Sequence, residues 1–321
     1  MRALHFGPDG TLSWEDRPLH APGPGEVAIT PVASGLNRAD LLQRAGLYPP
    51  PPGATHVPGL EVSGHVRALG DEVTGFEVGD PVVALLAGGG FAEDVICPAA
   101  QVLPAPTAID VAHAAALPEV WATVWQNLVL NAGLSHGDRV LVHAGASGVG
   151  TAAIQLCRLF GARVWVTAGS TEKIERCVAL GADGGSVRTA GSWRQDVAAW
   201  APDGVDIVLD PVGGSAFEEH LHVLGQGGRL CVIGLMGGRA GRLDLGRLLV
   251  KNLKILGSTL RSQPVEVKGH ILSGLADVVW PALARGQVRP VIDAVARRDD
   301  VEGAFQHLAS NNTFGKVLLL W

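Results

Sequence analysis

The segment Val140-Leu141-Val142-His143-Ala144-Gly145-Ala146-Ser147-Gly148-Val149-Gly150 constrains the fold more than any other stretch of the chain. An apolar run of strand length enters a glycine-rich turn, and Thr151-Ala152-Ala153-Ile154-Gln155-Leu156 continues with helical character. Glycines let the backbone pass close to a pyrophosphate, and a helix N-terminus offers it unpaired N–H groups and a positive dipole end. Gly145 and Gly150 fit the G-x-G-x-x-G fingerprint of dinucleotide sites, with Ser147 in place of the middle glycine and Gly148 and Val149 completing the turn. Two other readings share this strand–turn–helix context. One is a tight turn whose glycines serve packing alone. The other is a hydrolase nucleophile elbow, G-x-S-x-G, but Gly145-Ala146-Ser147-Gly148-Val149 closes on valine and fails it.

The chain on either side of this segment differs in character. From Pro118 onward, helical patterns alternate with short β-rich runs at 139–144, 163–168, 206–210, 229–234 and 253–258. Near-continuous apolar strands alternating with helices predict a parallel, doubly wound sheet. Before Pro118, short alternating runs such as Glu26-Val27-Ala28-Ile29-Thr30 lie between turn signals, which predicts a mainly antiparallel β region, a small barrel. The exception is a short helix over 37–44, leading into Tyr48 and the prolines Pro49 to Pro52. A length of 321 residues suits two domains at roughly 150 residues each. We expect a substrate domain over 1–118, a nucleotide-binding domain over 119–260, and a segment, 261–321, that returns to the first domain.

Composition narrows the function. The net charge of −6 argues against a partner bound through phosphate neutralisation, so no nucleic acid is expected. No signal-peptide pattern and no long uncharged apolar run appears, so no membrane span is expected. Cys97, Cys157, Cys177 and Cys231 lack metal or disulfide spacing and read as buried thiols in a reducing compartment.

A second test of the dinucleotide reading lies at the end of the next strand. An NAD site closes that strand with Asp or Glu, which holds the ribose 2′-hydroxyl. Here the run 163–168 is followed by Gly169 and Ser170, with Lys173 three residues further on. Room, a hydroxyl and a cation point to a 2′-phosphate, hence NADPH over NADH. The plainer reading has Ser170 capping the next helix and Lys173 solvated.

Further motifs join this loop: Asn37-Arg38-Ala39-Asp40, Gly59-Leu60-Glu61, Thr167-Ala168-Gly169-Ser170, Asp210-Pro211-Val212-Gly213-Gly214 and Phe314-Gly315-Lys316. With them the chain resembles the medium-chain dehydrogenase/reductase superfamily, in its zinc-independent quinone oxidoreductase branch. Residues 37–43 with Tyr48 and the proline run, Gly234-Leu235-Met236-Gly237-Gly238 and Leu260-Arg261-Ser262 look most like the stress-inducible NADPH:quinone reductase subtype. The resemblance implies an α/β fold: a Rossmann doubly wound parallel sheet plus a mainly β GroES-like barrel domain. It further implies a cytoplasmic homodimer joined through the edge strand near 253–258.

Zinc relatives carry Cys where Asn37 stands and His where Leu60 stands, and four closely spaced cysteines where this chain has only Cys97. No metal is therefore expected. His220 and His222, two apart, face different ways on a helix and read as structural or surface residues. Without a Lewis acid, an acceptor that takes electrons readily suits the chemistry, as quinones do.

The resemblance places the site in a cleft between the domains, with Asn37, Asp40 and Tyr48 on the substrate side and Thr123 near the nicotinamide. It adds cofactor contacts from Gly234, Leu235, Met236, Leu260, Arg261, Ser262 and Lys316. Arg188 stands where the subtype often has tyrosine; it either pairs with the 2′-phosphate or is a solvated charge. Tyr48, the one tyrosine, either bonds a quinone oxygen or packs on the prolines. Asn37 and Asp40, three apart, share a helix face, and Asp40 either serves the site or caps and pairs locally. Glu61 either orients the site or is a structural partner. Thr123 either touches the cofactor or bonds back to its own turn. The expected function is NADPH-dependent reduction of quinones or related electrophiles by metal-free hydride transfer. Reduction of α,β-unsaturated carbonyls is the alternative enzyme, and a non-catalytic NADPH-binding protein the alternative of another class.

Overall fold

The structure, a computed structural model, describes residues 1–321. Two compact units form: Met1–Ala122 with Leu260–Trp321, and Thr123–Thr259. In chain order the first part contains β1 (Arg2–Phe6), β2 (Leu12–Asp16), β3 (Glu26–Leu36), α1 (Arg38–Arg44), β4 (Glu61–Leu69), β5 (Pro81–Leu85), β6 (Val95–Pro98), β7 (Val102–Pro104), α2 (Val111–Ala114) and α3 (Pro118–Val124). A π-helical turn, Trp125–Asn131, follows. Then come β8 (Arg139–Val142), α4 (Gly148–Leu159), β9 (Arg163–Ala168), α5 (Thr171–Leu180), β10 (Gly184–Val187), α6 (Trp193–Trp200), β11 (Val205–Asp210), α7 (Phe217–Val223), β12 (Leu224–Val232), α8 (Leu245–Val250) and β13 (Lys254–Gly257). The chain ends with α9 (Val265–Ala284), β14 (Ile292–Arg297), α10 (Val301–Ala309) and β15 (Lys316–Leu320).

The first unit is organised around β3, whose first half pairs β6 and whose last residues pair β15, while β4 runs along its other side. Pro31 has no N–H for the ladder, and the register against β4 slips there, so the strand bends between its two partners. The sheet order is β14-β15-β3-β4-β5-β7, with β6 on β3. Val27, Ile29, Val62, Val66, Val82 and Val102 fill its core, each side chain contributing roughly 1.5–3 kcal/mol on burial. A second core gathers Leu4, Leu36, Phe91, Phe305, Val317 and Leu319 around the returning β15.

The second unit holds six strands in the order β10-β9-β8-β11-β12-β13, all parallel. From β8 the chain winds to one edge through β9 and β10, and from β11 to the other. The reversal between β8 and β11 is the topological switch point at which such sheets bind ligands, beyond the carboxyl ends of their strands. This is the doubly wound α/β architecture that the alternating pattern implied. Strand β8 ends at Val142, two residues earlier than its apolar run, because Ala144 turns into the left-handed region at φ 52°. The π-helical turn has no simple sequence signature; its i→i+5 bond runs from Ala132 N to Asn127 O at 3.0 Å. No helix is long and apolar enough to cross a membrane.

Candidate active site

The glycine loop follows β8. Gly145 N donates to Thr167 O at 2.9 Å, tying the loop to the neighbouring strand. A side chain at Gly145 would meet Val166 Cβ at 2.7 Å, and one at Gly150 would meet Ala144 O at 2.4 Å. Packing alone therefore demands both glycines, and the case for a ligand rests on the helix start. Ser147 is the N-cap of α4: its Oγ accepts from Gly150 N at 3.0 Å. The N–H groups of Gly148 and Val149 keep no intrahelical acceptor, as at any helix N-terminus.

At the end of β9, Gly169 is exposed and a Cβ there would meet nothing within 4 Å. Ser170 caps α5, accepting from Lys173 N at 3.3 Å. Arg188, exposed at the end of β10, donates its backbone N–H to Ala168 O at 2.9 Å, which sets it beside the same strand end. The carboxyl edge of β9 and β10 thus gathers Gly169, Ser170, Lys173 and Arg188, with no carboxylate at the strand end. After β12, the loop holding Gly234, Leu235 and Met236 lies on the 211–213 turn: Met236 N donates to Pro211 O at 3.2 Å and Gly237 N to Val212 O at 2.6 Å. A side chain at Gly234 would meet Pro211 O at 2.7 Å. Asp210 anchors that turn, accepting from Val212 N at 2.7 Å and Gly213 N at 3.1 Å. Its burial raises the carboxyl pKa, but His220 and these N–H groups outweigh that and hold it below the usual range. Beneath lies His143, with Nδ1 2.8 Å from Thr167 Oγ1 and its ring 4.6 Å from that of His220. Burial, then His220, pushes His143 down to about 3. Thr123, in α3, accepts from Asn127 Nδ2 through its carbonyl at 2.9 Å. This set fits a nicotinamide dinucleotide: free donors at a helix start and open room with cations nearby at the second strand end.

The first unit holds a buried ionic cluster. Lys316 Nζ donates to Leu36 O at 2.7 Å, Asn37 Oδ1 at 2.7 Å and Glu61 Oε1 at 2.6 Å. Asn37 Nδ2 donates to Glu61 Oε1 at 2.9 Å and Gly35 O at 3.3 Å, and Asn37 N donates to Asp40 Oδ2 at 2.8 Å. Glu61 Oε2 accepts from Glu119 N at 2.8 Å. Arg261 Nε donates to Ala87 O at 2.7 Å, and its two terminal nitrogens donate to Tyr48 O at 3.2 Å and Gln43 Oε1 at 2.7 Å. Its guanidinium carbon lies 5.3 Å from the centroid of the Tyr48 ring. Burial raises Asp40 to about 7 against the opposing bond from Asn37 N, and burial with nearby Glu61 raises Glu119 to about 8.

These positions show where the expected site residues lie. Lys316, expected as a cofactor contact, has all three of its donors satisfied inside the first unit. Arg261 is buried and turned onto Tyr48, Gln43 and Ala87, and Leu260 is buried beside it. Asn37, expected on the substrate side, has both amide hydrogens and its carbonyl engaged within the cluster. Asp40 is fully enclosed and closes the first turn of α1. Glu61 is a partner of the cluster. Tyr48 stays half-buried, and Ser262 is exposed. Sequence reasoning missed the half-buried Glu119 and the buried Lys268, whose placement has no local signature.

At the positions matched to zinc ligands, Asn37 is bonded to an ammonium and Leu60 is core. No group of three or more His, Cys, Asp or Glu is placed to hold a metal ion. The donor set does not fit zinc.

Known proteins agree with this architecture. Residues 23–107 match the alcohol dehydrogenase GroES-like domain, and 148–277 match the zinc-binding dehydrogenase family. The chain is 33% identical over 334 residues to a synaptic vesicle membrane protein VAT-1 homolog of Rattus norvegicus, covering 98% of this chain and 82% of that one. It is 32% identical over 301 residues to quinone oxidoreductase-like protein 2 of Bos taurus, covering 92% and 85%. It is also 33% identical over 302 residues to a phenolphthiocerol/phthiocerol polyketide synthase polypeptide of Mycobacterium tuberculosis, a match that covers 92% of this chain but spans only 13% of that length. Among solved structures, mycobacterial Rv1454c complexed with NADPH superposes over 100% of both chains at TM-score 0.89 and 30% identity. An NAD-dependent alcohol dehydrogenase does so over 100% of both at 0.87 and 32%. The CurK enoyl reductase covers 99% of this chain and 98% of its own at 0.86 and 26%. The chain belongs to the medium-chain dehydrogenase/reductase superfamily. It is an oxidoreductase of that family, with quinone oxidoreductase-like and enoyl reductase neighbours.

Proposed function

We propose that this protein is an NADPH-dependent reductase of quinones that works without a metal. The observation that carries the cofactor reading is the end of β9, where Gly169 leaves open room and Ser170, Lys173 and Arg188 lie along the same sheet edge. A 2′-phosphate carries negative charge, and a cation with nearby donors favours it where a carboxylate would repel it. The cofactor, when bound, supplies hydride; the acceptor gains that hydride and one proton and becomes a hydroquinone. Gly148 and Val149 offer N–H groups to the pyrophosphate, and Ser147 holds the helix start that presents them. Tyr48 has a phenol braced from behind by Arg261, and it is our candidate donor to the acceptor oxygen. Relatives named quinone oxidoreductase-like and the NADPH complex of a similar structure support this reading.

Similarity to an enoyl reductase favours a second reading, reduction of α,β-unsaturated carbonyls. A panel of benzoquinone, naphthoquinone and an alkenal, each with NADPH and with NADH, separates them by the loss of reduced-nicotinamide absorbance. Quinone turnover with NADPH preferred is the expected result; turnover of the alkenal alone would move the assignment to the second reading. NADPH binding with no turnover of any acceptor would favour the non-catalytic reading. We also propose a cytoplasmic homodimer: β13 is an unpaired sheet edge, and Leu249 and Val250 of the preceding helix are 78% and 80% exposed.

A further inference from the structure

Glu119 is a carboxyl with no protein partner for its side chain in the middle of a charged cluster. Its Oε2 is enclosed and accepts no hydrogen bond. The charges that act on it come from Glu61 on β4, Lys316 on β15, Asp40 on α1 and Lys268 on α9. Tyr48 and Arg261 both feel its charge. Lys268 is itself only 2% exposed, and its ammonium makes neither a hydrogen bond nor an ion pair. The half-buried Glu119, with its enclosed Oε2, and the buried Lys268 are thus two ionisable groups held within electrostatic reach of each other without being joined, unlike Lys316 and Glu61.

We propose that Glu119 is a positioning residue that sets the charge around Tyr48 through its own proton, and so tunes the first unit for acceptors that become oxyanions on reduction. With Glu119 protonated, three cations (Lys268, Lys316, Arg261) face Glu61 and Asp40, which is itself only partly ionised around pH 7, and the cluster carries a positive surplus that stabilises an oxyanion at the Tyr48 phenol. With Asp40 and then Glu119 ionised, three cations face three carboxylates and the surplus is gone. Burial of Glu119 and its neighbour Glu61 place the change near pH 8. The substrate side of this inference rests on the reductase reading above.

Tyr48 is the only tyrosine in the chain, so its phenolate absorbance reports this one site without any substrate. In wild type the ionised Glu119 opposes a second negative charge at Tyr48. Glu119→Gln therefore lowers the Tyr48 midpoint, by on the order of half a pH unit or more. An unmoved midpoint in a folded Glu119→Gln protein overturns the proposal whether or not any acceptor is reduced. The second measurement is the ratio of kcat/KM for a quinone at pH 7 to that at pH 9. That ratio should fall in Glu119→Gln to the part that Asp40 contributes, whereas a merely structural role would leave it as in wild type and overturn the proposal. Lys268→Met keeps Glu119 but removes a cation beside it, so the alkaline loss of activity should shift to higher pH; a shift to lower pH would count against the cluster as described. If no acceptor is turned over, the reductase reading fails while the titration still decides the charge coupling.

Discussion

Lys316 Nζ lies 2.6 Å from Glu61 Oε1, and both side chains are enclosed within the first unit. The two residues are 255 positions apart in sequence, and they meet because β15 and β4 both pair with β3. The ammonium also bonds Asn37, at the position where the resemblance places a zinc-binding cysteine in zinc relatives. A protein cation, bonded to an amide and a carboxylate, therefore sits beside this position.

Removing one member of such a pair leaves a buried charge without its partner, which costs about 3–5 kcal/mol. Lys316→Met should destabilise the protein by that order, read as a lower midpoint in urea unfolding. Adding Glu61→Gln should recover part of the loss, because the stranded carboxylate goes with it. Strictly additive losses would show that the two residues are not energetically coupled.

The sheet of the second unit could be read from its residues because a strand covered on both faces is apolar throughout, as in Val205–Asp210 and Arg163–Ala168. The nucleotide edge could be read because its parts are consecutive: loop, helix start, strand end and cap lie within a few residues of one another. The ionic cluster had no such signal. Asn37, Glu61, Glu119, Lys268 and Lys316 come from five distant segments, and only strand pairing across β3 and the packing of α3 and α9 bring them together. Glu119, just after Pro118 at a helix start, looks like an acid placed for the helix dipole. Arg261 lies in a motif that reads as a cofactor contact, yet its three bonds all turn inward.

Ser147 caps α4 through the bond from Gly150 N. Glycine at an N-cap costs only a few tenths of a kcal/mol, whereas alanine costs about 1 kcal/mol. Ser147→Gly should therefore leave NADPH affinity within about threefold of wild type, well short of the ~1.4 kcal/mol of a tenfold step. Ser147→Ala should lower thermal stability more than Ser147→Gly does. Loss of all turnover with cofactor binding intact would instead revive a nucleophilic role for this serine.

His143 links stability to acid. Its pKa falls from an ordinary value near 6.5 in the unfolded chain to about 3 in the fold, chiefly through burial. Below pH ~6.5 the unfolded chain binds a proton that the fold refuses, so stability is lost as pH falls from ~6.5 towards 3, by up to about 1.4 kcal/mol per pH unit from this one group. Urea midpoints between pH 7 and pH 5 measure it. His143→Asn cannot take up that proton and should show a shallower acid slope; an unchanged slope would mean that the imidazole titrates normally in the fold.

The edge of β9 makes the cofactor preference testable. If Lys173 and Ser170 hold the 2′-phosphate, a charge-assisted bond of about 1.5–3 kcal/mol is lost in Lys173→Ala, which is roughly a ten- to hundredfold loss of NADPH affinity. NADH has no such phosphate, and its affinity should barely move. The measurement is the ratio of kcat/KM for NADPH to that for NADH in wild type, Lys173→Ala and Arg188→Ala. A wild-type preference for NADH, or equal weakening of both cofactors in Lys173→Ala, would overturn the assignment of this edge. A mild Lys173→Ala with a severe Arg188→Ala would keep NADPH and move its anchor to the end of β10. That outcome is structurally accessible, because Arg188 is exposed and bonded through its backbone to Ala168, next to the open Gly169.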